Sequence, residues 1–264
     1  MKGFLLSLQS EFYKSRKTLG FWGSILLPLL ITFFVAVGFY FNADKVAAFP
    51  SEKLWGQFAG IPLAVMGSLL LPMYIVFIGY SVNAIEHKSD TWKTLFTLPI
   101  PKWSIYTAKY LYAVILVLIT LTLFFVLTIG FGNLLGNIQP KLKFGGYHME
   151  STLFQVYAKL FLASQGIIAL QFLMGLLWKD FLKPMGIGFV GTIAGIILTG
   201  PAHWKYAYIL PYAQPLLSIM GIGNRKIRPN ETPDFLTNEV WISLVIAAVV
   251  YVAGYFIVER RSIK

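Results

Sequence analysis

Residues 85–109 read IEHKSDTWKTLFTLPIPKWSIYTAK, and the rest of the chain is organised around them. This is the most polar segment of its length between two long apolar runs, 58–82 and 105–131, each hydrophobic enough to cross a bilayer. It has no glycine and no serine-rich run, so it does not read as a flexible linker. Trp92, Leu95, Phe96 and Leu98 fall near helical spacing. Asp90 and Thr91 stand where an N-cap belongs, and Pro99 and Pro101 end the helix. The pattern predicts a short amphipathic helix on the membrane surface, followed by a rigid elbow into the next span.

Composition sets the class. The 264 residues are 57% hydrophobic and only 12% charged, with a mean hydropathy of +0.68. Soluble domains carry about 25% charged residues. The chain is therefore expected to be an all-α membrane protein, a single transmembrane domain over 1–264 with about six spans of roughly 20 residues and no separate soluble domain. The net charge of +11 comes from lysines and arginines that cluster at the ends of apolar runs, as anchoring to anionic lipid requires. No basic face is long enough for nucleic acid, which is not expected as a partner. Cysteine is absent, which excludes disulfides and thiolate metal sites.

Residues 1–18 are too polar to span. Phe4, Leu8 and Phe12 make an apolar stripe, with Ser7, Glu11, Lys14 and Arg16 largely off it, which predicts an interfacial amphipathic helix. Spans are expected at about 19–41, 58–82, 105–131, 153–178, 184–200 and 240–258. Pro62 and Pro72 predict kinks in the second, and Lys109 is placed to snorkel to the surface. Residues 132–152 read as an outer loop, with Lys159 near the outer end of span four, and 178–184 as a short second turn on the side of the N-terminus. Residues 203–222 are aromatic but broken by Pro211 and Pro215, which predicts short helices dipping into the outer interface, followed by a polar hairpin at 224–233. Thirteen of the 22 lysines and arginines fall on the side of the termini, so both ends are expected in the cytoplasm.

The chemistry of an enzyme is not visible. There is no phosphate-binding glycine loop, no HExxH and no G-x-S-x-G. His87, His148 and His203 map to loops or interfaces, where a lone histidine is ordinary. All 11 acidic residues fall in loops or at span ends, so no ionisable group is expected at the midplane to couple an ion gradient to transport. Energy for active transport has to come from another subunit. Gly191 and Gly195 form a G-x-x-x-G that serves either packing within the chain or a subunit interface.

These features together resemble the membrane subunit of a type-2 ABC exporter, the ABC-2 permeases. The local match consists of Glu86 at the end of span two, Thr91-Trp92-Lys93-Thr94-Leu95, Leu98-Pro99, Lys102-Trp103-Ser104, and Lys109 entering span three. The family often has glycine where this chain has Asp90. The T-W-K…L-P form resembles the branch of lantibiotic-immunity and bacitracin-resistance permeases.

The resemblance implies a coupling helix between spans two and three that docks on an ATPase subunit through Glu86, Lys88, Asp90, Thr91, Trp92, Leu95, Phe96 and Pro99. It implies a second permease subunit, identical or paralogous, meeting this one through spans one and five, which suits Gly191 and Gly195. It implies re-entrant outer helices acting as a gate, with Trp204, Tyr208 and Tyr212. ATP and magnesium would be held by the partner, leaving this chain with no cofactor and no catalysis. The expected cargo is an antimicrobial peptide or another hydrophobic compound, expelled from the cytoplasmic membrane. A drug, sodium or a lipid-linked glycan, or a non-ABC membrane scaffold or enzyme, is the alternative.

Overall fold

The first span shows what kind of solvent shaped the chain. In α2 (Leu19–Phe41), Gly20, Ser24, Pro28, Thr32 and Ala36 are buried in one stripe, while Trp22, Leu26, Leu30, Phe33 and Phe34 are exposed. In water this pattern would be inside out. In hydrocarbon a leucine gains nothing by hiding, and small residues let helices approach. The buried hydroxyls of Ser24 and Thr32 donate to Phe21 O and Pro28 O of the same helix, both at 2.6 Å, so neither is left unsatisfied.

The computed structural model describes residues 2–97, 99–223 and 235–260, and no strand occurs among them. α1 (Lys2–Ser15) precedes α2, and a short α3 (Ala43–Val46) leads to α4 (Ser51–Val65). α4 passes through a π-turn at Met66–Leu70 into α5 (Leu71–Ser89). That turn lies between Pro62 and Pro72, where kinks are expected from sequence. The extra residue of a π-turn is one way a helix absorbs such interruptions.

α6 (Trp92–Thr97), α7 (Lys102–Ile138), α8 (Glu150–Ala163), α9 (Gln165–Leu177), α10 (Leu182–Thr199), α11 (Gln214–Gly223) and α12 (Asn238–Arg260) follow. Among the described residues, 5 helices are long and apolar enough to cross a membrane. A sixth span results if α8 and α9, bent by 40°, are one. The polar hairpin expected at 224–233 lies outside the described residues.

Several elements depart from their sequence-based bounds. α7 runs on to Ile138 through two glycines, because Gly132 lies under the Trp55 indole and Gly136 faces Phe144. Tertiary contact outweighs the weak helix preference of glycine. Trp55 in turn donates its indole N–H to Phe144 O at 2.8 Å. The fourth span is broken at Ser164. There the Ser243 hydroxyl of α12 donates to Ala163 O and accepts from Gly166 N, both at 2.9 Å, so one side chain satisfies both backbone groups freed by the bend. Lys159 is buried and paired with Glu239 at 3.1 Å. The aromatic stretch after α10 forms 3-10 turns at Ala207–Ile209 and Pro211–Ala213 before α11 begins.

Three contacts place the site. α5 and α9 cross backbone to backbone, because a Cβ on Gly175 would strike the Gly79 carbonyl oxygen. Lys102 Nζ donates to Glu259 O at 3.3 Å, and Gly3 lies against Ile100. So α1, the segment 90–101 and the end of α12 gather at one end of the bundle.

Candidate functional site

α5 does not stop where the polar stretch begins. Glu86, His87 and Lys88 form its last turns, and Asp90 ends it in the left-handed conformation, with φ 50° and ψ 30°. Asp90 therefore caps the C-terminus of α5 and is not the N-cap of the next helix. A short polar side chain tolerates this backbone region better than most. The Thr91 amide bonds back to Glu86 O at 3.2 Å, and Thr91 O accepts from Leu95 N at 2.9 Å, which opens α6. On the surface, Lys179 Nζ pairs with Asp90 at 3.0 Å and ties this turn to the connector before α10.

Beneath α6 lies an ion cluster assembled from three helices. Lys14 Nζ is 2.7 Å from Glu11 Oε1 and 2.7 Å from Glu86 Oε1. Lys109 Nζ is 3.1 Å from Glu11 Oε2 and 2.8 Å from Glu86 Oε2, and it donates to Val82 O at 3.0 Å. Lys109 is 0% exposed, Glu86 2% and Glu11 3%. Lys109 thus does not snorkel outward, because two carboxylates meet it inside. α1 likewise does not turn all of its polar residues outward. It turns Ser7, Glu11 and Ser15 inward against α7 and leaves Leu5, Leu6 and Tyr13 exposed. Burial alone would lower the Lys14 ammonium, but Glu11 and Glu86 outweigh it and hold its pKa above the ordinary 10.5.

Trp92 roots α6 in this structure. Its ring lies 5.6 Å from Lys109 Nζ, a cation–π contact with the cluster. Its indole N–H donates to His87 Nδ1 at 3.2 Å. His87 Nε2 then donates to Gly175 O of α9 at 2.9 Å, so the hydrogen-bond pattern assigns the proton to Nε2. One tryptophan and one histidine connect the surface helix to α5, α7 and α9.

The residues expected to contact a partner separate into two groups. Lys88, Asp90, Thr91 and Pro99 are exposed, and Trp92 and Leu95 are half-buried. Glu86 is turned inward into the cluster. The side chain of Phe96, and Leu98 altogether, lie outside the described residues. Gly191 and Gly195 face their own chain: a Cβ at Gly191 would come within 2.5 Å of the Tyr212 ring, and one at Gly195 within 2.9 Å of Tyr212 O. Tyr212 is buried, and its hydroxyl accepts from Gln171 Nε2 at 2.6 Å, while Tyr208 is half-buried and Trp204 is exposed.

Sequence reasoning missed Glu11, Lys14, Lys109, His87 and Gly175 as parts of one assembly. The available signal was the balance of two acids and two lysines, all near span ends on the same proposed side. A charge there that is taken from water needs a partner. The assembly ties the short α6 to α1, α5, α7 and α9 through side chains on each.

A sequence model described as ABC-2 family transporter protein matches residues 7–195. No curated protein and no solved structure matches the chain.

Proposed function

We propose, from the premise that this chain belongs to the ABC-2 family of transporter proteins, that it is the membrane-spanning permease subunit of an ATP-driven exporter. In this reading it works with ATPase subunits and a second permease subunit. α6 is the element that docks on the ATPase. The observation that carries this is the seating of Trp92, held at once by Lys109 and His87, which makes α6 a firm projection and not a loop. A partner pressing on Lys88, Thr91 and Leu95 would push on α5 and α7 together. Aromatic anchors near such a surface supply much of the energy of protein interfaces.

The cargo in this reading is an antimicrobial peptide or another hydrophobic compound. Support for it is the Thr91-Trp92-Lys93 and Leu98-Pro99 pattern. Both termini and α6 lie in the cytoplasm, in keeping with the charge distribution.

The test is to co-express the chain with candidate ABC ATPase subunits from the same genome and purify the complex in lipid nanodiscs. The wild-type chain is expected to retain the ATPase and change its hydrolysis rate. Trp92→Ala is expected to lose that change while remaining folded. An ATPase that never associates, or whose rate ignores both the wild-type chain and the variant, defeats the reading. Sensitivity of cells to a panel of membrane-active peptides then tests the cargo class.

A further inference from the structure

We infer that His87 is the positioning residue through which a displacement of α6 reaches α9, so that α9 moves with α6 and the bend at Ser164 takes up the motion. This rests on the coupling reading of α6 given above. His87 uses both ring nitrogens. Nδ1 accepts from the Trp92 indole at 3.2 Å and Nε2 donates to Gly175 O at 2.9 Å. Gly175 lies in the last turn of α9, where helix carbonyls have no partner within the helix. The histidine therefore fills a need of α9 while it holds α6.

The surroundings make this bond a mechanical one. At Gly175 the backbones of α5 and α9 touch with no side chain between them, so no compressible layer absorbs a push. α1, α5 and α7 are locked to one another by Glu11, Lys14, Glu86 and Lys109. α9 contributes no residue to that lock. It meets this end of the molecule through the His87 bond, the glycine crossing and the packing of Phe172 on Tyr106 and Tyr110 of α7. Its other end is the 40° break, where Ser243 keeps Ala163 O and Gly166 N satisfied. Since one hydroxyl of α12 serves both sides of the break, the angle can change without stranding either group far from a partner. α9 thus has a handle at one end and a pivot at the other.

The chain contains no cysteine, so spin labels can be placed singly and in pairs. Thr94→Cys marks α6, Leu177→Cys the end of α9 and Phe154→Cys the start of α8; all three positions are exposed. Distances are read in nanodiscs with the associated ATPase, without nucleotide and with ATP plus vanadate. The 154–177 distance is expected to shift with nucleotide while the 94–177 distance stays fixed. In His87→Leu the pattern is expected to reverse: 94–177 shifts and the 154–177 shift is lost. Trp92→Phe, which keeps a ring over Lys109 but removes the N–H donor, is expected to behave like His87→Leu. His87→Gln, which retains one acceptor and one donor, is expected to restore the wild-type pattern. A purely structural histidine would give no such reversal and no rescue.

A wild-type 154–177 distance that ignores nucleotide, in a complex that binds and hydrolyses ATP, overturns the inference alone. So does a His87→Leu protein with wild-type shifts. An ATPase that fails to associate with the wild-type chain overturns the coupling reading and the inference with it.

Discussion

Lys109 is wholly enclosed by protein, yet it meets two carboxylates, a backbone carbonyl and an indole ring. Breaking such a buried arrangement from one side is costly, because the remaining charges stay desolvated. Lys109→Met leaves Glu11 and Glu86 facing one another with Lys14 as their counter-charge. The expected loss is about 3–5 kcal/mol, measured as a fall in Tm of the protein in detergent, and Lys109→Arg is expected to lose less. Lys14 adds a pH signature. Its pKa is raised above 10.5, so its contribution is full below that value and fades as pH climbs past it. The stability difference between wild type and Lys14→Met is therefore expected to be level from neutral pH up to 10.5 and to narrow above it. At this scale the sequence was only partly legible. Glu86 and Lys109 can be picked out by eye as charges at span edges. The other carboxylate that Lys109 meets, Glu11, lies 98 residues away, and nothing local links the two. In sequence His87 is an ordinary lone histidine near an interface, and its use of both nitrogens is visible only once α9 is in place.

Among the helices, apolar length was legible and interruptions were not. α2 (Leu19–Phe41) and α12 (Asn238–Arg260) are helices over the apolar runs 19–41 and 240–258. The end of α5 was misread because Glu86 and His87 look like loop residues until their partners are known. The break at Ser164 was invisible because Ser243, which makes it tolerable, belongs to a helix far along the chain. Removing that hydroxyl tests the point. Ser243→Ala leaves the Ala163 carbonyl and the Gly166 amide without it, at an expected cost of about 1–3 kcal/mol, with faster amide exchange in the first turn of α9 as the local readout. Glycines give a sharper contrast. Gly175→Ala drives a methyl into the Gly79 carbonyl and is expected to separate α5 from α9, lowering the yield of folded protein and the Tm. Gly60→Ala, with open space where its Cβ would go, is expected to be neutral or to stabilise by up to about 1 kcal/mol from helix preference.

Taken as a whole, the molecule has two kinds of surface with different uses. The flanks, such as the exposed faces of α2 and α10 with Phe34, Phe189 and Val190, are apolar and suited to lipid or to a second permease. Of the glycine pair, Gly195 is buried under Tyr212 while Gly191 is half-exposed beside its ring. The end that carries α1, α6 and the close of α12 is ionically locked inside, and outside it mixes exposed polar residues such as Lys88, Asp90 and Thr91 with exposed Leu5, Leu6 and Tyr13. The membrane class and the general form of this end were legible from residues 85–109, because hydropathy and proline punctuation are local properties. The lock beneath it was not, because it depends on three helices meeting. In the proposed reading, α6 is the surface on which an ATPase acts. The most direct test is cross-linking in the otherwise cysteine-free chain, comparing Thr94→Cys on α6 with Lys141→Cys, an exposed position in the loop after α7. A covalent adduct with the ATPase is expected from position 94, altered by ATP, and none from position 141. An ATPase that co-purifies but reacts with neither position, or with both equally, would contradict it.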